Sequence, residues 1–171
     1  MKIERGIFMA DIVLTRVDFR LIHGQVIVKW RQVYQVTKIV VVDDILAVDD
    51  FMTRIYTSAA PADITVKIYS EEKALRLWQK NEFGTGRVML LFKDIETCHR
   101  MIKAGLPIKQ IQLGGVPHAE DKKVILKAVS LNRKEVGLLK ELHDDQVDIV
   151  VQVVPENPKL SYEDILKNFA K

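Results

Sequence analysis

Short runs of apolar, β-branched residues recur along the chain and alternate with segments whose apolar residues follow helical spacing. The apolar runs predict seven strands, at residues 11–16, 38–42, 64–69, 88–92, 109–113, 128–130 and 147–154. The segments between them predict helices at residues 24–35, 46–59, 70–80, 95–104 and 132–144, and a closing helix after Ser161. We therefore expect an α/β fold, a single domain with a mostly parallel sheet of about seven strands and helices on both faces.

Polar residues at the predicted helix starts support this alternation. Ser70, Asp94, Asn132 and Ser161 each precede a helical segment and are typical N-cap residues. Asp43 and Asp44 follow the second strand, where an acidic pair is able to bind a metal ion or assist acid–base chemistry. We favour helix capping or a contact with an arginine for this pair.

Two predicted helices carry large apolar side chains whose placement is testable. In the helix at residues 46–59 we expect Phe51, Ile55 and Tyr56 to face the core. In the helix at residues 24–35 we expect Trp30 to pack in the core rather than to form a platform for a sugar. Gly114 and Gly115 end the fifth predicted strand, and we expect them to allow a close backbone approach beside the site described next.

The run R-V-D-F-R-L-I-H-G-Q-V at residues 16–26 lies at a predicted strand-to-helix turn. In parallel α/β folds such turns lie at the carboxyl ends of the strands, where ligands bind, and the helix start offers backbone N–H groups to anions. Arg16 and Arg20 offer planar cations that suit phosphate or carboxylate oxygens. A neutral His23 has a lone pair able to attack phosphorus, and Asp18 is able to hold an arginine or accept an imidazole proton.

The same residue types also allow less specific interpretations. A histidine near a turn is usually a surface residue, and the two arginines could simply pair with Asp18, Asp43 or Asp44. A second functional alternative is a non-catalytic α/β module that binds a phosphorylated metabolite at the loop from Arg16 to His23. Such a module would need the arginines but not a reactive histidine.

Composition narrows the class of protein. The 171 residues are 48% hydrophobic and 29% charged, which are values typical of a globular domain. The single cysteine, Cys98, excludes an internal disulfide and fits a reducing cytosol, and no apolar run approaches the ~18 residues that span a bilayer. The only feature that suggests an RNA-binding protein is the pI of about 8.9. The net charge is only +3 and the sequence has no dense basic stripe, which argues against that interpretation. We expect a cytoplasmic protein that does not bind nucleic acid.

No cofactor or metal site is indicated. The four histidines, His23, His99, His118 and His143, are scattered and show no H-E-x-x-H or paired-cysteine spacing. We expect His118 to lie at the surface. Neither the P-loop motif nor a complete G-x-G-x-x-G occurs, so the sequence has neither of the motifs that usually bind the phosphates of ATP or of a dinucleotide.

The run at residues 16–26 resembles the active-site signature of the IIB components of the mannose, fructose and sorbose family of the bacterial phosphoenolpyruvate-dependent sugar phosphotransferase system. The likeness continues through I-V-V-V-D-D at 39–44, A-A-P at 59–61, V-M-L-L-F-K at 88–93, L-G-G at 113–115 and Q-V-V-P at 152–155. It covers the chain from about Met9 to the C-terminus. Residues 9–171 would then form one IIB domain, with residues 1–8 as an N-terminal extension that is either a misplaced start or a short disordered tail.

The resemblance implies a phosphotransferase that accepts a phosphoryl group from a phosphohistidine of a IIA protein. His23 would carry the group on Nδ1 and pass it to a sugar bound by the membrane components IIC and IID. The catalytic residues would be His23, Arg16, Arg20 and Asp18, and the phosphate would contact Arg16, Arg20 and the backbone amides of Ile22, Gly24 and Gln25.

The resemblance also implies an association with the membrane sugar permease from the cytoplasmic side and makes a homodimer plausible. Many members of the family have a second acid where this chain has Phe19, which places an aromatic face beside the site and affects docking rather than phosphoryl chemistry. The sequence does not distinguish between mannose, fructose, sorbose, galactosamine and N-acetylgalactosamine as the transported sugar.

Overall fold

The computed structural model describes residues 9–171, with the side chains of Gln25 and Val26 left out of the description. The predicted N-terminal extension at residues 1–8 lies outside the described residues. The elements in chain order are β1 Asp11–Asp18, α1 Gly24–Tyr34, β2 Lys38–Val42, a 3-10 turn Leu46–Val48, α2 Asp50–Ala59, β3 Thr65–Tyr69, α3 Glu71–Asn81, β4 Arg87–Phe92, α4 Ile95–Lys103, β5 Gln110–Gly115, β6 Lys123–Leu126, β7 Val129–Leu131, α5 Arg133–Asp144, β8 Asp148–Val151 and α6 Tyr162–Ala170.

Six strands form one parallel sheet in the order β3-β2-β4-β1-β5-β8, which confirms the predicted α/β class. The predicted number of strands is slightly wrong. The stretch expected to hold one strand near Ala128 forms two short strands, β6 and β7, which pair as a separate antiparallel hairpin. The last strand ends at Val151 rather than at residue 154, because the backbone beyond it turns away and directs carbonyl groups at Arg16.

Hydrophobic residues cover both faces of the sheet, as the sequence predicts. Alternate residues of β2 point to opposite faces: Val40 and Val42 belong to one core cluster, and Ile39 and Val41 to the other. Helix α1 packs on the second cluster, whereas α4, α5 and α6 pack on the first. Trp30 of α1 is buried, which confirms the prediction that it is a core residue.

The predicted orientation of the helix at residues 46–59 is wrong in two of its three positions. Phe51 and Ile55 are exposed, while Tyr56 packs against the core as expected. The cause is a break in the helix, because a 3-10 turn precedes Asp49, whose side chain caps a new helix that starts at Asp50. The new helix turns Met52 and Tyr56 inward, so that no residue of α2 is fully buried.

The acidic pair after β2 caps helices, as we favoured from the sequence. Asp43 Oδ1 accepts hydrogen bonds from the backbone N–H groups of Ile45 and Leu46, at 3.0 and 2.8 Å. Asp44 accepts one from the backbone of Glu71, at 2.8 Å. The predicted N-caps Ser70, Asp94, Asn132 and Ser161 are all observed.

Within residues 9–171, no helix combines the length and the apolar character needed to cross a bilayer.

Candidate active site

The first strand brings the predicted site residues to the carboxyl edge of the sheet. β1 lies between β4 and β5, near the middle of the sheet. After β1 the chain continues into α1, which packs on one face of the sheet. After the neighbouring β4 it continues into α4, which packs on the other face. Connections that diverge from adjacent strands open a crevice at their carboxyl ends, which is where ligands bind in α/β proteins. The loop at residues 19–23 lies at this crevice.

Asp18, the last residue of β1, holds both arginines of the motif. Its carboxylate accepts two hydrogen bonds from the Arg20 side chain, from Nε at 3.0 Å and from Nη2 at 3.1 Å, and one from Arg16 Nη2 at 3.1 Å. Burial alone raises the pKa of Asp18, but the hydrogen bonds from Arg20 and the charges of both arginines outweigh it. The pKa therefore lies below its ordinary value, and Asp18 is a carboxylate at neutral pH.

Arg16 is enclosed by protein, with 0% of its side chain exposed. Its guanidinium donates to the carbonyl oxygens of Gln152 and Val153, both at 2.9 Å, and to the side-chain oxygen of Gln112. It also lies 5.5 Å from the ring of Trp30, a cation–π distance. Burial lowers the pKa of Arg16 from its ordinary value to about 10, and the attraction of Asp18 opposes this, so the side chain remains charged at neutral pH.

Two glycines on the adjacent strand make room for these side chains. A Cβ atom at Gly114 would lie 1.9 Å from Arg16 Cζ, and one at Gly115 would lie 2.7 Å from Asp18 Oδ1 and 3.1 Å from Arg20 Nη2. The close approach that we expected at Gly114 and Gly115 is therefore confirmed. Only a residue without a side chain fits against a buried guanidinium at this distance.

Arg20 lies at the surface of the same cluster, with 35% of its side chain exposed. Its guanidinium is 5.5 Å from the ring of Phe19, which is itself partly exposed. Asp18 engages only the Nε and Nη2 side of the guanidinium. The Nη1 group makes no hydrogen bond to the described residues, and the fork is held in a fixed direction at the crevice.

His23 occupies the N-cap position of α1 and is partly exposed. Its Nδ1 atom is 2.8 Å from the carbonyl oxygen of Leu21, whose backbone has a φ of 54°. A carbonyl oxygen only accepts hydrogen bonds, so this contact requires a proton on Nδ1, and in the neutral tautomer that meets this requirement the lone pair is on Nε2. Nε2 is buried and has no hydrogen-bond partner among the described residues.

The start of α1 offers backbone N–H groups next to His23. No side chain caps this end of the helix, and its first turn contains no acidic residue. Gly24, with a φ of 39°, is exposed, whereas Ile22 is buried in the core under the loop. The first N–H groups of a helix lack intrahelical partners and attract anions. The predicted amide positions Ile22, Gly24 and Gln25 thus lie within one turn of His23 in the chain.

Sequence reasoning missed the two glutamines that complete this network. Gln112 lies on β5 and Gln152 directly follows β8, and both side chains are buried. Gln152 Nε2 donates to the carbonyl of Asn157 at 2.7 Å, and Trp30 Nε1 donates to that of Val153 at 3.2 Å. The available signal was a glutamine within each of two apolar strand runs, because a buried amide needs a polar partner.

The remaining histidines and acids do not assemble a second site of this kind. His118 is exposed, as we expected, and its Nδ1 lies 2.6 Å from Ser130 Oγ. Within residues 9–171, no group of three or more His, Cys, Asp or Glu side chains is placed to hold a metal ion.

A parallel α/β domain with an arginine–aspartate–arginine cluster beside a histidine at a helix start has the architecture of a phosphoryl-handling domain. The family described as PTS system sorbose subfamily IIB component matches residues 12–171. The chain belongs to this family, whose members carry phosphoryl groups in sugar uptake and are phosphotransferases. The resemblance stated from the sequence is thereby confirmed, and the non-catalytic alternative is not favoured.

Individual relatives agree with this assignment. The chain is 31% identical to the mannose-specific EIIAB component of Escherichia coli strain K12, over 92% of the chain and 49% of that protein. It is 29% identical to the fructose-specific EIIB component of Bacillus subtilis strain 168, over 95% of the chain and 100% of that protein. The chain thus spans about half the length of the mannose-specific relatives and the whole length of the fructose-specific one.

Solved structures have the same fold. The crystal structure of manxB from Thermoanaerobacter tengcongensis superposes with a TM-score of 0.89 at 40% identity and covers 95% of this chain and 99% of that one. The IIBSor domain of the sorbose permease from Klebsiella pneumoniae superposes with a TM-score of 0.82 at 29% identity, over 92% of this chain and 97% of that one.

Proposed function

We propose that His23 is the phosphoryl carrier of this IIB component. It accepts the group from the phosphohistidine of a IIA protein and delivers it to a sugar held by the membrane components IIC and IID. The observation that supports this assignment is the position of His23 at an uncapped helix start, two residues from the Leu21 carbonyl that orients its ring and three from the exposed Arg20. The protein works at the cytoplasmic side of the membrane, beside the permease.

The two arginines have different parts in this mechanism. Arg20 has an exposed guanidinium edge, so we assign it to the phosphoryl oxygens, where it balances the charge of a loose transition state. Arg16 has no exposed surface, so we assign it to positioning. It fixes Asp18 and the backbone at residues 152–153, and Asp18 in turn fixes the direction of Arg20. The amides of Gly24 and Gln25 complete the cradle at the helix start.

The ring of His23 has to turn before it reacts through Nδ1, the atom that the resemblance implies. In the structure, Nδ1 points at the Leu21 carbonyl and Nε2 is buried. Rotation about the Cβ–Cγ bond breaks the contact with Leu21, after which Nδ1 releases its proton to water and Nε2 takes one up from water, so that the lone pair lies on Nδ1. The bond from phosphorus to the donor imidazole then breaks as the bond to Nδ1 forms. The donor ring carries a proton on its other nitrogen and therefore leaves as a neutral imidazole.

Intact mass tests this function directly. The wild-type chain and His23→Ala are each incubated with phosphoenolpyruvate, the two general phosphotransferase proteins and a IIA protein that is verified as phosphorylated. We expect an acid-labile gain of one phosphoryl group in the wild type and none in the variant. Equal labelling of both proteins would show that a residue other than His23 carries the phosphoryl group. No labelling of the wild type would favour the alternative function, a module that binds a phosphorylated metabolite.

A further inference from the structure

Leu21 has a backbone conformation that its residue type rarely adopts. Its φ angle of 54° lies in the left-handed region, although its side chain is bulky and only 1% exposed. Within residues 9–171, the other non-glycine residues with a positive φ lie within two residues after a helix end, where this conformation is common: Gln35, Glu82, Phe83 and Gln146. Leu21 lies between β1 and α1 instead. A bulky residue keeps such a conformation only where its surroundings enforce it, and these residues cluster at functional sites.

The core and Asp18 together hold Leu21 in this conformation. The Leu21 side chain packs in the core cluster on which α1 lies. Its backbone N–H donates to the carbonyl oxygen of Asp18 at 2.9 Å, which closes a turn. Asp18 Oδ1 accepts a hydrogen bond from the backbone N–H of Arg20 within the same turn, at 3.2 Å. The carboxylate that binds both arginines therefore also stabilises the loop that carries Leu21.

The carbonyl group of Leu21 determines which nitrogen of His23 carries the proton. Its oxygen lies 2.8 Å from Nδ1 and is able only to accept a hydrogen bond. The hydrogen-bond partner of one ring nitrogen sets the tautomer of a neutral histidine, so the ring carries its proton on Nδ1. Neutral histidine in water carries the proton mainly on Nε2. The contact with Leu21 therefore selects the tautomer that is the minor one in water.

This contact exists only while His23 carries no phosphoryl group. On phosphorylation, phosphorus takes the place of the proton on Nδ1, which is released to water, while Nε2 takes up a proton from water. The Leu21 carbonyl then has no donor at Nδ1, and it repels the phosphoryl oxygens because both are hydrogen-bond acceptors. An interaction that is present in only one of two states shifts the equilibrium towards that state. The contact thus favours the unphosphorylated carrier.

We propose that Leu21 is a positioning residue that acts through His23. Its left-handed conformation directs the carbonyl oxygen at Nδ1 and holds the unphosphorylated ring in the Nδ1–H form. The loss of this contact on phosphorylation raises the tendency of the phosphohistidine to pass its group to the acceptor. This proposal rests on the proposed function, because it presumes that His23 receives the phosphoryl group on Nδ1.

Two substitutions of Leu21 separate its backbone conformation from the packing of its side chain. Leu21→Gly and Leu21→Ala both remove the buried apolar group, but glycine adopts a positive φ readily, whereas alanine does so only with strain. We therefore expect the glycine variant to retain the carbonyl contact and the alanine variant to lose it. Leu14→Ala is the matched control, because Leu14 is a buried leucine of the same core cluster and lies within β1. Denaturant unfolding compares the stability of all four proteins.

The first measurement determines the tautomer of His23 without a phosphoryl donor. Nitrogen-15 chemical shifts of the ring nitrogens are recorded at alkaline pH, where histidines are neutral, and His23→Ala identifies the His23 signals. We expect the proton on Nδ1 in the wild type, Leu21→Gly and Leu14→Ala. In Leu21→Ala we expect it mainly on Nε2. Loss of packing alone does not move a tautomer, so this spectrum distinguishes positioning from a purely structural role.

The second measurement determines the equilibrium constant for phosphoryl transfer between a IIA protein and this chain. We expect Leu21→Ala to shift the equilibrium towards phosphorylated His23 by about threefold to tenfold, because the unphosphorylated state loses one ordinary hydrogen bond. Leu21→Gly and Leu14→Ala should shift it by less than about twofold, because both retain that bond. Intact mass of both proteins at equilibrium gives the constant.

Two outcomes would overturn the proposal. The first is a wild-type His23 with its proton on Nε2, a result that does not depend on the folding of any variant. The second is the same tautomer and the same equilibrium constant in Leu21→Gly and Leu21→Ala, which would show that the backbone conformation has no part in positioning. Failure of the wild type to accept a phosphoryl group would instead refute the proposed function and leave the tautomer result intact.

Discussion

Arg16 and Arg20 are the same residue type, each two positions from Asp18, yet the fold gives them opposite surroundings. Arg16 lies in the strand, where it is fully buried and bound by two backbone carbonyls, a glutamine and Asp18. Arg20 lies beyond the end of the strand and binds Asp18 with one edge of its guanidinium, while about a third of its side chain is exposed. One carboxylate thus joins an arginine that is part of the core to one that faces the crevice.

The different burial of the two arginines predicts different roles for them, one in the stability of the fold and one in phosphoryl chemistry. A buried ion pair contributes little net stability when intact, but removing one partner is costly because the other charge stays buried. An exposed arginine costs little to keep and is able to meet an incoming anion. We therefore expect substitutions at Asp18 and Arg16 to act on folding, and substitutions at Arg20 to act on phosphoryl transfer.

Replacement of Asp18 should have the largest effect, because it disconnects both arginines. We expect Asp18→Ala to lower the free energy of unfolding by about 3–5 kcal/mol, since Arg16 loses its only charged partner among the described residues. Urea unfolding followed by circular dichroism measures this change. A loss below about 1 kcal/mol would show that the backbone carbonyls alone stabilise the buried guanidinium.

Replacement of each arginine by methionine tests the comparison itself. We expect Arg16→Met to lower the free energy of unfolding by about 3 kcal/mol, because Asp18 and the carbonyls at residues 152–153 lose their buried donor. We expect Arg20→Met to change stability by less than about 1 kcal/mol but to slow phosphorylation of His23 by about 100-fold. Unfolding curves and single-turnover labelling are measured on both variants. If both variants lost stability equally, the proposed separation of roles would be wrong.

The two glycines of β5 sharpen the comparison with smaller changes. We expect Gly114→Ala to cost about 1–3 kcal/mol of stability, because the new methyl group overlaps the enclosed Arg16 guanidinium. Gly115→Ala should cost less stability, because its overlap is smaller, and act more on transfer, because it displaces the Asp18 carboxylate that directs Arg20. Gly137→Ala in α5 is the matched control, since a Cβ atom there meets nothing within 4 Å. It should be neutral or stabilise the helix by about 0.5–1 kcal/mol.

The pH dependence of stability should show the smallest effect. The Asp18 carboxylate stabilises the native state above the ordinary carboxyl pKa of 3.8, and this contribution is lost as the pH falls from there through the lowered native pKa. We expect the wild type to lose stability more steeply below pH 3.8 than Asp18→Asn does. Urea unfolding from pH 6 downwards measures both slopes. Parallel slopes would show that Asp18 titrates alike in the native and unfolded states.

The sequence predicted much of the fold because its signals are local. Alternating apolar runs, N-cap residues and the strand-to-helix turn at residues 16–26 each depend on neighbours in the chain, and the observed elements agree with them closely. The errors occur where several short-range alternatives compete and packing on the sheet decides between them. The break before α2 depends on how Asp43 and Asp49 cap two successive segments, and the hairpin at residues 123–131 depends on antiparallel pairing.

The sequence by itself placed His23, the two arginines and the aspartate that connects them at one strand-to-helix turn, because their spacing in one strand and one turn determines which groups can meet. Only the tertiary structure decided that Arg16 is enclosed, since the groups around it, Gln112, Gly114, Gln152 and Val153, come from two other strands and the loop after them. Burial is a property of the assembled sheet and its coverings. For that reason two arginines that look equivalent in the sequence become one enclosed residue and one that faces the crevice.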